Sequence, residues 1–308
     1  MAPTFMFMIT AHNAAPWLDK LVGSLASQTW SEWHAVIVDD ASTDETASRL
    51  KRLLTQHNLE QRFAVRGNDV RKYKARNVYE TLQNHGKAED IVVMLDGDDW
   101  LACADALDVL VPHYVDGWEV IWSNWVGSEG SKGRSGHLNP FVSPRRQPWV
   151  SSHLFTFRKR LFEQVTPADL QDDAGSWFRA GCDVAIALPL LEQTIRRKYL
   201  DQVLCVYNRD NALSHDHRAG GGTLTSPEQM RTTRQLMQRP ATIPAEDNAF
   251  LHEHLYDFLS AAFHSGDRAN RLRLERAFKT LLSQAEAHTP QERRVPPWRR
   301  PVQDGGGA

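Results

Sequence analysis

The sequence predicts an α/β protein with a mixed, mainly parallel sheet, helices on both faces of that sheet, and a carboxyl-terminal helical segment. Short runs made almost entirely of apolar residues, at residues 5–10, 34–38 and 91–95, are typical of strands buried on both faces. Segments in which apolar residues recur at helical spacing alternate with these runs. This alternation indicates parallel strands that are joined by helices.

The first two strand–helix units carry the clearest pattern. Residues 5–10 predict a strand, and Pro16 suits the first turn of the following helix, whose apolar positions recur over residues 17–25. Residues 34–38 predict the second strand, and the Ser-Thr-Asp-Glu at residues 42–45 fits the capping box of the next helix. Two consecutive units of this kind favour a sheet whose neighbouring strands are parallel.

The rest of the first half continues this pattern. We expect a weaker strand at residues 63–65, a helix at residues 74–82 and a fully apolar strand at residues 91–95. One more strand is predicted at residues 120–123. Residues 124–148 are rich in Gly, Ser, Pro and Arg, and therefore predict a long loop.

The second half mixes helices, a strand and a further loop. The elements predicted there are a helix at residues 159–165, a helix after Asp183, a strand at residues 202–207 and a loop at residues 208–225. Helical periodicity returns at residues 246–263 and 271–285, which predicts a carboxyl-terminal helical pair. We therefore expect a main domain over residues 1–225, a helical extension over residues 226–288 and a disordered tail over residues 289–308.

The bulk composition narrows the class of protein. The 308 residues carry a formal net charge of -2, so no global electrostatic argument favours a nucleic acid or an anionic membrane as partner. Three widely separated cysteines, Cys103, Cys182 and Cys205, argue against a disulfide framework and against a zinc site. Since no apolar run approaches membrane-spanning length, we expect a cytoplasmic protein, and peripheral attachment to a membrane stays open.

The densest chemistry lies at residues 96–99, Asp-Gly-Asp-Asp, directly after the apolar run at residues 91–95. Like charges this close repel one another unless a cation neutralises them. Carboxylate oxygens suit Mg²⁺ or Mn²⁺, and these ions share their coordination with substrate phosphates. The alternative is a solvated turn between a strand and a helix. Because Asp39 and Asp40 end the second strand, we expect these carboxylates at one sheet edge, where ligands bind in parallel α/β folds.

Four segments resemble glycosyltransferase family 2, whose members have the GT-A fold. Residues 95–100, Leu-Asp-Gly-Asp-Asp-Trp, resemble the Asp-x-Asp motif of GT-A enzymes, and residues 37–44 resemble the second signature of the family. These two segments occur in the family's order. Residues 9–13 resemble its first strand and loop, and residues 74–77, Lys-Ala-Arg-Asn, its basic segment before the metal motif. The resemblance covers about residues 5–211.

The resemblance implies an inverting, metal-dependent transfer of a sugar from a nucleoside diphosphate sugar, expected to be a UDP-sugar, to a carbohydrate or other hydroxyl acceptor. The donor would lie across residues 1–123, with Asp40 near the base and Asp96 near the ribose, and the acceptor across residues 124–225. The residues expected to bind the nucleotide sugar are Thr10, His12, Asn13, Asp39, Asp40, Arg76, Asn77, Asp96 and Gly97. Those expected to hold Mn²⁺ or Mg²⁺ are Asp98, Asp99 and His215.

Arg76 suits a phosphate clamp, because a guanidinium group presents a planar fork to oxyanions. Arg71, Lys72 and Lys74 surround it, and a solvated basic helix face explains any one of these residues equally well. Because only Arg76 and Asn77 match the family pattern, the other three basic residues are not predicted to belong to the site.

Asp183 is expected to act as the general base that deprotonates the acceptor hydroxyl. The family has an acidic residue in this role at this place, although many relatives carry Glu-Asp where this chain has Cys182 followed by Asp183. An alternative is that Asp183 caps the helix that follows it, since Asp is favoured at helix N-caps. His215 lies in a Ser-His-Asp-His segment that either completes the coordination of the metal ion or forms only a polar loop.

Other functions remain to be weighed against this transferase. One is a catalytically degenerate protein that only binds nucleotide sugar or carbohydrate, against which the intact carboxylates argue. Another is a transferase that acts on a modified base in DNA, motivated by basic residues at 145–146 and 196–198 and by the Arg-rich tail. A dinucleotide-dependent oxidoreductase is disfavoured, because residues 10–14 lack the Gly-x-Gly-x-x-Gly pattern. The sequence names neither the sugar, nor the acceptor, nor the linkage.

Overall fold

The computed structural model describes residues 2–214, 226–242 and 247–264 of the chain. Its strands are β1 (Phe5–Ala11), β2 (Trp33–Asp39), β3 (Phe63–Gly67), β4 (Ile91–Asp96), β5 (Trp100–Leu101), β6 (Val120–Gly127), β7 (Phe155–Arg158) and β8 (Arg197–Tyr207). Its helices are α1 (Leu18–Ala26), α2 (Thr46–Gln56), α3 (Tyr73–Leu82), α4 (Ala106–Val115), α5 (Lys159–Phe162), α6 (Cys182–Leu191), α7 (Pro227–Gln238), α8 (Asn248–Glu253) and α9 (Leu255–His264). Short 3-10 turns lie at Pro144–Arg146 and Pro167–Leu170.

The described strands form one sheet in the order β3-β2-β1-β4-β7-β6-β8-β5. The first four strands of this order are parallel to one another. Strand β7 is antiparallel to both β4 and β6, β6 and β8 are parallel, and the short β5 is antiparallel to β8. The predicted mixed, mainly parallel sheet is therefore confirmed.

The side chains of β1 show how helices cover both faces of the sheet. Because successive side chains of a strand point to opposite faces, Phe5, Phe7 and Ile9 pack into one core with α1 and α2. Met6 and Met8 pack into a second core with α3 and α6. All five side chains are fully buried. This double burial explains why the strand has no polar alternation in its sequence.

The second half contains more regular structure than the sequence predicts. Strand β6 continues to Gly127 and β8 begins at Arg197, because the two strands pair with each other over their whole length. The pairing has register shifts at Ser123, Asn124 and Trp125, and the apolar pattern of β6 is interrupted there. Sequence periodicity therefore does not predict the full length of either strand.

The segment at residues 128–148 is held in place by buried side chains. The Arg197 guanidinium is 5% exposed and donates to the carbonyl oxygens of Asn139, Pro140 and Val142, at 3.2 Å each. Burial of this guanidinium lowers the pKa of Arg197 to about 10. The predicted long loop is thus a packed segment with a turn at Pro144–Arg146.

The start of α2 differs from the predicted capping box at residues 42–45. The helix begins at Thr46, and no side chain caps it at Glu45. Asp44 instead accepts hydrogen bonds from the Thr46 backbone and hydroxyl, at 2.9 and 2.5 Å. The Ser42 hydroxyl accepts from the Asn13 backbone at 2.9 Å, so it joins two loops and does not cap the helix.

The carboxyl-terminal helices pack against the sheet domain. The rings of Phe250 and Phe258 lie 5.0 and 5.5 Å from Trp118, and Lys198 Nζ lies 2.9 Å from Asp257. The helix predicted at residues 246–263 is two helices that meet at His254. The helix predicted at residues 271–285, like the predicted tail, lies outside the described residues. Among the helices described, none is long and apolar enough to cross a bilayer.

One buried ion pair fastens α7 to the second half and yields a stability prediction. Arg145 donates to both carboxylate oxygens of Glu192, at 2.8 and 2.9 Å, and to the carbonyl of Leu236 at 2.7 Å. The two charged side chains are 6% and 10% exposed. Replacement Arg145→Met leaves Glu192 charged and buried, so we expect a loss of about 3 to 5 kcal/mol of unfolding free energy in urea titrations.

The matched control is Arg52→Met. Arg52 lies 4.0 Å from Glu45, and both side chains are more than half exposed, at 66% and 77%. An exposed pair of this kind contributes about 0 to 1 kcal/mol. Similar small losses for both variants would show that the Arg145 pair does not hold α7.

Candidate functional site

A cavity of about 190 Å³ lies where the carboxyl ends of β1, β2 and β4 meet the amino-terminal ends of α3 and α6. This is the edge of a parallel sheet at which ligands bind in α/β folds. The predicted site residues that line it are Thr10, His12, Asp40, Asp96, Gly97, Asp98 and Asp183. Lining residues that the sequence does not predict include Arg71, Tyr73, Lys74, Arg179, Tyr207, Asn211 and Gln229.

Other predicted site residues lie beside the cavity without lining it. These are Asn13, Asp39, Arg76, Asn77 and Asp99, whereas His215 lies outside the described residues. The Asn13 side chain accepts from the Thr43 backbone at 2.8 Å, and Asp39 accepts from the Ser42 backbone at 3.0 Å. Both contacts fix the loops that follow β1 and β2, so these two residues shape the rim of the cavity.

Asp40 follows β2 and is held by the start of α3. Its carboxylate accepts the backbone N–H of Lys72 and Tyr73, at 2.7 and 2.8 Å, and the Asn68 amide at 2.8 Å. Burial raises the pKa of Asp40, but hydrogen bonds outweigh it and lower the pKa below its ordinary value. Asn77 accepts from the Asn68 amide at 2.8 Å and so supports Asp40 through Asn68. Tyr73 has a φ of 65°, a strained conformation of the kind that accumulates at functional sites.

Gly97 allows the acidic turn to lie directly on β1. Its N–H donates to the Thr10 carbonyl at 2.9 Å. A Cβ atom at this position would lie 2.5 Å from Ala11 Cβ and 2.8 Å from Ala11 Cα, which is too close for any other residue. The glycine thus places the carboxylates on either side of it at the edge of the cavity.

Asp98 and Asp99 face different surroundings although they are neighbours in sequence. Asp98 lines the cavity and accepts from the Asn211 amide at 2.7 Å. Burial, reinforced by the charge of Asp96, raises the pKa of Asp98 to about 6. Asp99 is 1% exposed and accepts from the Asn208 backbone at 2.7 Å, so it holds the chain that leaves β8. Burial and then the charges of Asp98 and Asp96 raise the pKa of Asp99 well above its ordinary value.

Lys74 joins the two halves of the site. Its Nζ atom lies 2.6 Å from Asp96 Oδ1 and 2.5 Å from Asp183 Oδ1, and its side chain is 17% exposed. Burial by itself lowers the pKa of a lysine, but the charges of Asp183 and Asp96 outweigh it here and raise the pKa of Lys74 above its ordinary value. One ammonium group therefore binds two carboxylates that come from different elements.

Lys74 is not among the predicted site residues, because it does not match the family pattern. Helical spacing nevertheless favours Lys74 as a site residue, because it places Lys74 on the buried face of α3. Lys74 is four residues before Val78 and lies on the face of α3 that includes the buried Val78 and Thr81. Arg76 is four residues before Glu80 and pairs with it at 2.7 Å on the exposed face. Arg76 therefore points away from the cavity that it was predicted to line.

Two further guanidinium groups bring positive charge to the cavity. Arg71 and Arg179 lie 4.6 and 5.1 Å from the ring of Tyr73, and all three residues line the cavity. Contacts of this kind between cations and an aromatic ring are favourable. The cavity consequently combines carboxylates with cations that suit an anionic ligand.

Asp183 is the second residue of α6, and its side chain is 47% exposed. Gly181, with a φ of 67°, is the N-cap of this helix, and no side chain caps it. The alternative in which Asp183 caps α6 is therefore wrong. A residue larger than glycine at position 181 would be strained at this φ and would crowd Thr232 of α7, at 3.1 Å. Helix α7 thus packs against the turn that presents Asp183 to the cavity.

The carboxylates that line the cavity fit a hard divalent cation that shares its coordination with a phosphate. Asp98 and Asp96 could supply oxygen ligands, and a bound cation would oppose the burial and the charge of Asp96 that together raise the pKa of Asp98. Within the described ranges, no group of three or more His, Cys, Asp or Glu side chains is arranged as a complete metal cage.

Comparisons with solved structures show which fold this is. The chain aligns with S. aureus TarS at a TM-score of 0.57 and 16% identity, covering 94% of this chain and 50% of that one. It aligns with TarS 1-349 in complex with UDP-GlcNAc at a TM-score of 0.52 and 18% identity, covering 94% and 82%. The mannosyltransferase PcManGT from Pyrobaculum calidifontis, in complex with GDP-Man and Mn²⁺, gives 0.51 and 18%, covering 95% and 77%. The chain thus spans half the length of the longest of these TarS structures.

Comparison with sequence families is more specific. No curated protein matches the sequence. The sequence model of glycosyl transferase family 2 matches residues 6–178, which is more than half of the chain and includes β1 to β4 and the acidic turn after β4. The chain belongs to glycosyl transferase family 2 and has the GT-A fold.

Proposed function

We propose that the protein is an inverting, metal-dependent glycosyltransferase that moves a sugar from a UDP-sugar to a hydroxyl group of a carbohydrate or another acceptor. The main observation behind this proposal is that Asp183 and the acidic turn after β4 line the same cavity, where Lys74 contacts both Asp96 and Asp183. A carboxylate that can accept a proton thus lies close to carboxylates that can bind a metal ion together with a diphosphate.

The donor half of the cavity suits a nucleoside diphosphate. Asp40 and Asp96 both line the cavity. Hydrogen bonds keep the Asp40 carboxylate charged, and it would bind the base, whereas the Asp96 carboxylate would bind the ribose. Arg71 and Arg179 offer guanidinium groups to the diphosphate, in place of the predicted Arg76. Solved relatives of the same fold bind UDP-GlcNAc or GDP-Man with Mn²⁺, which supports this class of donor.

In this mechanism Asp98 and the neighbouring Asp96 would hold Mn²⁺ or Mg²⁺, whose charge would stabilise the departing nucleoside diphosphate. Asp183 accepts the proton of the acceptor hydroxyl. The hydroxyl oxygen then bonds to the anomeric carbon while the bond from that carbon to the diphosphate breaks. Attack from the side opposite to the leaving group inverts the anomeric configuration without a covalent enzyme intermediate.

Two alternatives receive less support. One is a protein that only binds nucleotide sugar. Binding alone requires no proton acceptor, yet Asp183 lines the cavity. Hydrolysis of a donor by the pure protein would exclude this alternative. A nucleic-acid acceptor was motivated by several basic residues, of which three are engaged elsewhere: Arg145 pairs with Glu192, Arg196 with Asp247, and Arg197 is buried. These three side chains do not form a basic surface for phosphates, and the Arg-rich tail lies outside the described residues.

One prediction tests Asp183 as the general base. Replacement Asp183→Asn keeps the shape of the side chain but removes the proton acceptor, so nucleotide release from UDP-GlcNAc should fall about 10²- to 10⁴-fold. Calorimetry should show nearly unchanged binding of UDP. The matched control is Asp173→Asn, a carboxylate of the same half that is 86% exposed. Turnover of Asp183→Asn equal to that of the control would remove Asp183 as the base.

A second prediction separates the two neighbouring aspartates. Asp98→Asn should weaken Mn²⁺-dependent binding of UDP by roughly tenfold or more, because charges a few ångströms apart interact by a few kcal/mol in protein. Asp99→Asn should lower the melting temperature more than it lowers binding, because Asp99 holds the chain after β8. Binding is measured by calorimetry with Mn²⁺ and with a chelator. Equal affinity of the wild type in both conditions would refute metal-dependent donor binding.

A third prediction tests the charge of Lys74. Its ammonium neutralises part of the acidic cluster, so Lys74→Met should strengthen binding of Mn²⁺ alone by at least tenfold. Because Asp96 contacts Lys74 and would also hold the ion, the two cations would lie less than about 10 Å apart and repel each other by at least about 3 kcal/mol at an effective dielectric constant of about 20. The control is Lys159→Met, since this lysine is also buried and paired, with Glu163 at 3.5 Å, but follows β7 at the opposite end of the sheet. Unchanged or weaker Mn²⁺ binding by Lys74→Met would contradict this role.

A further inference from the structure

A second, smaller cavity adjoins the first one behind the ion pair of Lys74 and Asp183. These two residues line both cavities, so the two cavities meet at their ion pair. The remaining lining residues come from the segment before β7, from β4 and β7, and from α6. They are Met94, Ser151, Ser152, His153, Phe155 and Ile186.

The size of the second cavity limits what it can hold. Its volume is about 20 Å³. A cavity needs roughly 10 to 15 Å³ to hold one water molecule, so there is room for a single group of that size. Met94, Phe155 and Ile186 are buried and contribute apolar walls. A hydroxyl group fits this volume, whereas a sugar ring does not.

Ser151 supplies a polar group without a partner. The residue is 1% exposed, and its Oγ atom has no hydrogen-bond partner in the part of the chain that the structure describes. A buried hydroxyl in this state is unfavourable, and such groups often mark the place of a ligand or a water molecule. Ser151 lines the second cavity, so a group that entered there would reach a hydrogen-bonding partner.

The backbone around Ser151 is anchored on both sides. The Val150 carbonyl accepts from the Gly136 backbone at 3.0 Å. The Leu154 backbone donates to Ser123 Oγ at 3.0 Å and accepts from the Ser123 backbone at 3.1 Å. Ser151 is therefore fixed opposite α6, where Ile186 lies one helical turn after Asp183 and lines the same cavity.

We propose that this second cavity receives the reacting hydroxyl group of the acceptor, which Ser151 orients and Asp183 deprotonates. The inference rests on the proposed transferase function and names the place from which the acceptor enters the reaction. The Ser151 hydroxyl donates to the acceptor oxygen, and the acceptor O–H donates to the Asp183 carboxylate. Apolar walls on the other sides keep bulk water from this oxygen.

The resulting step balances in atoms and charge. The proton of the acceptor hydroxyl moves to Asp183, and the oxygen forms a bond to the anomeric carbon of the donor. The bond between that carbon and the diphosphate oxygen breaks, and the nucleoside diphosphate leaves with the electron pair. Ser151 keeps its own proton throughout, so it is a binding residue and not a nucleophile.

The test uses glycerol as a small hydroxyl probe and UDP-GlcNAc and GDP-mannose as donors. Nucleotide release by the wild type should rise and saturate with glycerol concentration. Ser151→Ala should raise the half-saturating glycerol concentration roughly three- to tenfold, the effect of one lost hydrogen bond, and leave donor binding unchanged. Ser151→Val fills the cavity as well and should abolish the dependence on glycerol.

Ser135→Ala is the matched control. Ser135 Oγ is also buried without a partner among the described residues, but Ser135 lines neither cavity. We expect this variant to behave like the wild type, with all variants sharing similar melting temperatures. A half-saturating concentration for Ser151→Ala equal to that of Ser135→Ala would overturn the proposal.

A crystal structure with UDP and glycerol separates failure of this inference from failure of the proposed function. If the wild type releases no nucleotide from either donor, the transferase proposal fails for those donors. The crystal structure then tests whether the second cavity binds a hydroxyl group. A glycerol hydroxyl within hydrogen-bond distance of Ser151 Oγ supports the binding site. A cavity that keeps a water molecule there, with glycerol elsewhere, overturns it.

Discussion

The ammonium group of Lys74 lies between Asp96 at the end of β4 and Asp183 at the start of α6, within 2.6 and 2.5 Å of one oxygen of each. Without this group, two carboxylates would face each other across a partly buried cavity, with Asp98 nearby. Burial of unpaired charge is costly, so the contact permits the two halves of the domain to close around the site. It also sets the position of Asp183 between the two cavities.

Buried polar side chains play a similar role in the second half of the chain. Arg197 donates to carbonyl oxygens of the irregular segment at residues 139–142, and Arg145 pairs with Glu192 and donates to the Leu236 carbonyl of α7. A guanidinium group has five donors in a fixed geometry, which allows one side chain to satisfy several carbonyl groups. Arg197 also donates to the Leu191 carbonyl at 2.7 Å, so the two guanidinium groups together hold the carboxyl-terminal end of α6, the helix that begins beside Asp183.

The strands and the acidic edge were predictable because their signals are local. A strand buried on both faces reads as a continuous apolar run, as in β1, β2 and β4, and a polar residue marks its end. The roles of the three carboxylates at residues 96–99 were only partly predictable. Neighbouring side chains of a turn point in different directions, so Asp98 faces the cavity while Asp99 binds the Asn208 backbone. No count of carboxylates in the motif distinguishes these two roles.

The sequence by itself determined the α/β class, the order of the first strands and helices, and the gathering of Asp40, Asp96 and Asp98 at one sheet edge, since these follow from periodicity and from parallel connection. Only the tertiary structure decided that Lys74, and not Arg76, enters the site, that β6 and β8 pair along their length, and that Ser151 faces the cavity behind Asp183. The physical reason is distance along the chain. Helical spacing places Lys74 on the buried face of α3, but its partners are 22 and 109 residues away, and such contacts depend on how the whole chain packs.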